Sequence, residues 1–202
     1  MFNLLLAPVW SPARRYEAAC ERPGSLGAAV RLLLVFALMY TFTVAIGYFN
    51  GFGAVVEPVL RIPAEEYYAY EAFFALPLFF LLAIVFAGTS RLLAAALGGT
   101  AGFEADFVVY AGASVLPVLV TMWLPETVLM VFLPGLRAEP LGGFSFLPVW
   151  LDVARQALGI VWTVAISVVG LHVTERLSLL RSAVVGVLSF AVCAGIMLLF
   201  IR

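Results

Sequence analysis

Acidic side chains interleaved with tyrosines form the densest set of chemically capable residues in this 202-residue chain. Glu65, Glu66 and Glu71 bracket three tyrosines in the segment from residue 65 to residue 71. Carboxylate oxygens are the ligands that hard cations prefer. A carboxylate in dehydrated surroundings also needs a partner that offsets its charge. This segment is therefore the first candidate for a binding site.

Three further charged residues are predicted to lie at the same end of the helix bundle as Glu71. Glu126 lies near the end of the third apolar run, and Asp152 and Arg155 lie near the start of the fourth. Because residues three apart are neighbours on a helix, Asp152 and Arg155 are expected to pair. The candidate polar site, centred on Glu71, consists of Glu66, Tyr67, Tyr70, Glu71, Glu126, Asp152 and Arg155.

Two interpretations of this candidate site remain open at the level of sequence. In the first, the carboxylates converge with Tyr67 and Tyr70 on an outward-facing pocket that holds a cation. In the second, the acidic residues stabilise the positive ends of helices, Asp152 pairs with Arg155, and the tyrosines form an interfacial belt. Under the second interpretation Glu71 bonds to Arg155 or to tyrosine hydroxyls, and its neutralisation mainly lowers stability.

Five long apolar runs must position these residues. They cover about 28–49, 72–96, 107–133, 149–171 and 179–201, and 64% of the chain is hydrophobic while 11% is charged. An apolar run of about 20 residues crosses the ~30 Å hydrocarbon layer as a helix, the form that satisfies its own backbone polar groups. The sequence predicts an all-α bundle of five transmembrane helices in a single domain, 1–202, with a short N-terminal interfacial segment, 1–27.

The composition argues against most enzymatic and nucleic-acid functions. A net charge of −1 provides no basic surface for nucleic acid. One histidine and two separated cysteines provide no metal-ligand cluster. The chain has no phosphate-binding glycine loop and no nucleophile–base motif. We therefore expect no catalysis, no cofactor and no resident metal.

Ionisable residues avoid the centres of the five runs and collect at two rims. Coupled carriers commonly place an acidic residue near the midplane, so this distribution favours a scaffold that binds lipids, another copy of itself or another membrane protein. The alternative is a small transporter or channel that uses the outer-rim carboxylates. A continuous polar cavity reaching Ser114 and Thr163 would indicate transport, and a dry centre would indicate a scaffold.

The arginines predict an orientation in the plasma (inner) membrane. Positive residues are enriched on the cytoplasmic side of multi-pass proteins. With the N-terminus in the cytoplasm and the C-terminus outside, seven of the eleven cationic residues lie on the cytoplasmic side: Arg14, Arg15, Arg22, Arg31, Arg91, Arg176 and Arg181.

The link between the second and third runs is rich in glycine. Gly98, Gly99 and Gly102 are expected to end the second helix, with at least one of them at positive φ, and to permit a tight return into Phe103. Pro117 lies within the third run, and a proline there predicts a bent helix because it lacks a backbone donor.

Several short segments follow one another in a recognisable order over nearly the whole chain. The segment from Tyr67 to Phe73 opens the second span, and the glycine loop from Leu97 to Phe103 is followed by Tyr110, Ser114 and Pro117. This order resembles the Yip-one domain family, the Ypt/Rab-interacting membrane proteins, in its prokaryotic branch. The resemblance implies a five-span membrane domain that interacts with partners or lipids. Small-GTPase binding follows from family analogy only, and the chain lacks the family's Asp-Leu-Tyr-Gly-Pro segment.

Overall fold

Five long helices dominate the computed structural model, which describes all residues except 1, 7–8, 10, 53–58, 134–137, 140–142, 145–147 and 201–202. They are α3 (Ser25–Phe49), α4 (Tyr67–Ala96), α5 (Phe103–Val118) with its continuation to Phe132, α7 (Val149–Thr174) and α8 (Leu179–Phe200). Each is long and apolar enough to cross a membrane. The predicted all-α polytopic fold is confirmed; residue 201, at the end of the fifth predicted span, lies outside the described residues.

Shorter elements complete the description. They are α1 (Phe2–Leu5), α2 (Pro12–Cys20), α6 (Leu124–Thr127) and an antiparallel pair of two-residue strands, β1 (Ala138–Glu139) and β2 (Gly143–Phe144). The long helices α4 and α5 begin several residues before the predicted 72 and 107. Their polar first turns are helical as well, and in α5 the acidic residues of that turn suit the positive end of the helix.

Helix α5 occupies the centre of the bundle. It packs against α3, α4 and α7, while α8 packs between α4 and α7. Of the most apolar 18 residues of each helix, 61% are buried in the third span and 22% in α8. A helix surrounded by protein has no face for lipid, and α5 is accordingly buried along almost its whole length.

The N-terminal segment is packed more deeply than the interfacial position predicted from sequence. Leu4 and Tyr16 are buried in the main hydrophobic core, where α1 contacts α5 and α2 contacts both α5 and α7. Gly112 makes this approach possible: a Cβ there would lie 2.7 Å from Leu4 Cδ1 and 3.0 Å from the Tyr16 ring. A glycine inside an apolar run gave no sequence signal that a separate segment would dock on it.

The third span stays helical past both of its prolines. A five-residue π-helical segment, Leu119–Trp123, follows Pro117, and a second, Val128–Phe132, follows Pro125. Proline removes one backbone N–H, and local π-type adjustments are one way in which a membrane helix re-satisfies the freed backbone groups. A change from α- to π-helix thus begins two residues after Pro117.

The glycine loop ends α4 with a complete Schellman motif. The Gly99 N–H donates to the Ala94 carbonyl at 2.8 Å, and the Gly98 N–H donates to the Ala95 carbonyl at 3.2 Å. Gly98 has a φ of 91°, which confirms the prediction of positive φ in this loop, and Gly102 is extended. Only a residue without a side chain adopts the conformation of Gly98 at little cost.

The docking of the N-terminal segment predicts a specific sensitivity at Gly112. Gly112→Ala should lower the free energy of unfolding by about 1–3 kcal/mol, because the new methyl group overpacks the Leu4–Tyr16 contact. The measurement is a thermal melt of the purified protein in detergent. Gly195→Ala is the matched control, since a Cβ at this helical position meets no atom within 4 Å. Equal melting temperatures for the two variants would contradict the packing.

Candidate functional site at the Glu71 end of the bundle

Arg155 links two spans at one end of the bundle. Its Nη2 lies 2.6 Å from Asp152 Oδ1 on the same helix and 3.8 Å from Glu126 Oε1 on the third span. Its Nη1 donates to the backbone carbonyls of Thr121 and Met122. The guanidinium therefore satisfies two carboxylates and the backbone of a neighbouring span at once, which is the multidentate role that suits arginine.

The backbone of the third span provides a carbonyl acceptor for this contact. In an α-helix the Thr121 carbonyl would accept from the N–H of residue 125, but Pro125 has none. The Arg155 guanidinium donates to this carbonyl. One turn further along α7, Gly159 lets the two helices come close, because a Cβ there would overlap the Thr121 side chain. Proline, glycine and arginine together thus build a single interhelical contact.

Glu71 is buried beside this ion-pair group and bonds to a tyrosine. Its side chain is 1% exposed, and its Oε1 accepts a 2.8 Å hydrogen bond from the Tyr40 hydroxyl of α3. Tyr40 is itself held edge-on against Phe79, with ring centroids 5.2 Å apart. The Glu71 carboxylate is also close enough to Glu126 for the two charges to repel each other.

The structure brings four of the seven predicted residues together. Glu71, Glu126, Asp152 and Arg155 form one connected cluster, which we call the Glu71 cluster. The Arg155 guanidinium pairs with Asp152 and Glu126, and the Tyr40 hydroxyl bonds to Glu71. The expected Asp152–Arg155 pair is present at its predicted spacing.

The other three predicted residues have different surroundings. The Tyr67 ring is fully buried, but its hydroxyl donates to the carbonyl of Phe200 at the end of α8. Tyr70 is 49% exposed, and Glu66 is exposed immediately before α4. Tyr70 does not share the buried face of Glu71, because on a helix it points about 100° away from Glu71, the next residue, whereas Tyr67 lies one full turn before Glu71.

Two members of the surroundings were missed from the sequence. Gln156 donates from Nε2 to Asp152 Oδ2 at 3.0 Å, and its spacing of four residues was a usable signal. Tyr40 lies near the middle of the helix Ser25–Phe49. Its bond to Glu71 joins residues 31 positions apart, and no local pattern predicts such a pairing.

A second polar cluster lies at the opposite end of the bundle, around the glycine loop. Glu175, just after α7, is fully buried and accepts a 2.8 Å hydrogen bond from the Ala101 N–H. Arg91 reaches the same Oε2 at 3.5 Å. A Cβ on Gly99 would lie 2.5 Å from that oxygen, so Gly99 is required for the loop to fold over Glu175. The loop is therefore fixed by α7 as well as by its own turn.

The chemistry available at the Glu71 cluster is that of ion pairs and hydrogen bonds. Among the described residues, no group of three or more His, Cys, Asp and Glu side chains has an arrangement that could hold a metal ion. The one guanidinium is already engaged by carboxylates and carbonyls. The cluster joins α3, α4, α7 and the third span at one end of the bundle.

No family model matches the chain, and no curated protein or solved structure matches it either.

Arg155 is predicted to be the most sensitive residue of the Glu71 cluster. Arg155→Met should lower the free energy of unfolding by about 3–5 kcal/mol, because it leaves buried carboxylates and a carbonyl without their donor. Thermal unfolding in detergent measures the loss. Arg31→Met, at an exposed position on α3, is the matched control and should change little.

A double variant tests whether the loss comes from uncompensated charge. Adding Glu126→Gln to Arg155→Met removes one orphaned carboxylate and should recover part of the lost stability. Strictly additive destabilisation by the two substitutions would contradict the described ion pair.

Proposed function

We propose that the protein is an integral membrane scaffold of the Yip type, which binds lipids or another membrane protein and performs no catalysis. The observation that carries this proposal is the packing of mid-depth polar groups within the bundle. The Ser114 hydroxyl donates to the carbonyl of Tyr110 in its own helix, and Ser90 bonds to Ser189 across two helices at 2.9 Å. The Ser90–Ser189 bond holds two helices together, as in other membrane bundles, while the Ser114 hydroxyl is satisfied within its own helix.

The uncovered faces of the last two spans support the same role. Only 28% of the apolar window of the fourth span and 22% of that of α8 are buried. On α8 a shallow groove of about 340 Å³ is lined by Ala183, Val184, Val187 and Leu188. An apolar groove of this kind fits an acyl chain or the ridge of a second transmembrane helix. We place the lipid- or partner-binding surface on this face.

The arginine distribution supports the orientation that goes with the proposal. The N-terminus and the glycine loop then lie in the cytoplasm, and the Glu71 cluster lies at the outer surface of the plasma membrane. A cytoplasmic loop fixed by Glu175 offers a rigid surface to soluble partners. The order of segments along the chain supports the Yip type by resemblance.

Native mass spectrometry of the protein purified from its own membrane tests the scaffold proposal. We expect a lipid, a second copy or another membrane protein to remain bound. Ala183→Trp should fill the groove and reduce the bound fraction at least several-fold, while Val192→Trp, at a more distal exposed position on α8, should not. A bound fraction equal in all three proteins would exclude the groove as the binding surface.

A small transporter or channel is the second candidate, and a specific observation favours it. The Glu71 cluster carries three carboxylates for one guanidinium, so a cation passing the outer surface would be attracted to it. The hydroxyls of Thr163 and Ser167 on α7 have no hydrogen-bond partner within the described part of the chain. Unpartnered hydroxyls between helices are the groups that line ion and solute pathways.

Cation flux into proteoliposomes separates the two candidates. The scaffold proposal predicts the same flux with the protein as with empty liposomes. Transport through the Glu71 cluster predicts a protein-dependent flux that falls at least tenfold in Glu71→Gln, because the charge that attracts the cation is lost. Glu66→Gln is the matched control, since Glu66 is an exposed carboxylate outside the cluster.

A further inference from the structure

Two fully buried carboxyl groups meet at the glycine-loop end of the bundle. Asp106, in the first turns of α5, and Glu175, just after α7, both have 0% of their surface exposed. The two carboxyl groups are close enough to interact directly. Within the described residues, three of the four carboxyl oxygens have no hydrogen-bond partner. They are both oxygens of Asp106 and the Oε1 of Glu175.

The neighbouring donors serve only one of the four carboxyl oxygens. Glu175 Oε2 accepts from the Ala101 N–H at 2.8 Å and lies 3.5 Å from Arg91 Nη1. Arg91 also donates to the Gly99 carbonyl at 3.4 Å, and its side chain is 36% exposed. One guanidinium at the rim of the site therefore faces two buried carboxyl groups. If both carboxyl groups were ionised, one guanidinium would leave one negative charge unbalanced, and three of the four oxygens would have no donor.

We propose that Asp106 and Glu175 bind a single proton between them, so that one carboxyl group donates an O–H hydrogen bond to the other. Two ionised carboxylates in contact would repel each other in a region that water does not reach. A shared proton removes this repulsion and supplies the donor that the facing oxygens lack. The site is fully enclosed, and the described residues offer no set of three metal-ligating side chains, so the smallest cation fits best.

The proton site is coupled to the position of the glycine loop. Glu175 holds that loop through the Ala101 N–H, and Arg181 of α8 donates to the Leu97 carbonyl at its start. Loss of the proton places two negative charges against the single Arg91. Of the nearby charged groups, Glu104 is exposed and His172 is engaged with the Leu177 carbonyl at 2.6 Å. Deprotonation should therefore loosen the contact between the loop and the end of α7.

Infrared spectroscopy of the full-length protein in lipid tests for the proton directly. A carboxylic acid has a C=O stretching band that a carboxylate lacks. At neutral pH the wild-type protein should show such a band, and both Asp106→Asn and Glu175→Gln should lose it, because either substitution removes a member of the pair. Glu104→Gln, at an exposed carboxylate two residues before Asp106, should leave the band unchanged. A band that persists in both variants would overturn the proposal.

The pH dependence of stability gives a second readout. If the folded protein holds one proton that the unfolded carboxylates release, the folding equilibrium falls by up to tenfold for each unit of rising pH. Asp106→Asn should flatten this dependence, because its amide N–H replaces the proton as donor to Glu175. An unchanged pH slope would contradict the shared proton. So would a wild-type stability that rises with added Ca²⁺ or Na⁺ while being independent of pH.

Discussion

The low polarity of the membrane interior is the constraint on which the rest of this structure depends. A charged group that leaves water must find its partner within the protein, and in a helical bundle that partner usually sits on another helix. Arg155 meets this requirement by contacting carboxylates and backbone carbonyls across an interface between spans. At the other end, Glu175 meets it by capturing the backbone of a loop. The charged groups near both membrane surfaces therefore also determine how the helices are placed.

The sequence was sufficient to predict the five spans, because a run of about 20 apolar residues has few stable structures other than a membrane-spanning helix. It was also sufficient for the turn at Gly98 and for the Asp152–Arg155 pair, both of which are local. It was not sufficient for the partner of Glu71. Tyr40 lies on a different span, and the rotation of each helix about its own axis is fixed only by packing. The same limit applies to Asp106, whose interaction with Glu175 joins α5 to the end of α7 and follows from no local pattern.

Prolines and glycines have a constructive role in the third span and its neighbours. Pro125 withholds a donor from the Thr121 carbonyl, and that carbonyl becomes a ligand for Arg155. Gly159 and Gly112 remove side chains where α7 and the N-terminal segment approach this span. An irregularity that breaks helices in water is tolerated here because neighbouring elements take over the freed groups. The most irregular span is thus also the one with the most neighbours.

The position of Arg155 along the chain has a consequence for how the protein is made. Glu126 leaves the ribosome before the arginine that offsets its charge, since Arg155 belongs to the fourth span. Until that span is inserted, the Glu126 carboxylate must stay hydrated or be shielded by the insertion machinery. The hydrogen bond of Tyr67 forms later still, because its acceptor, the Phe200 carbonyl, belongs to the last helix. The third span can therefore complete its charged contacts only after the fourth span has been inserted.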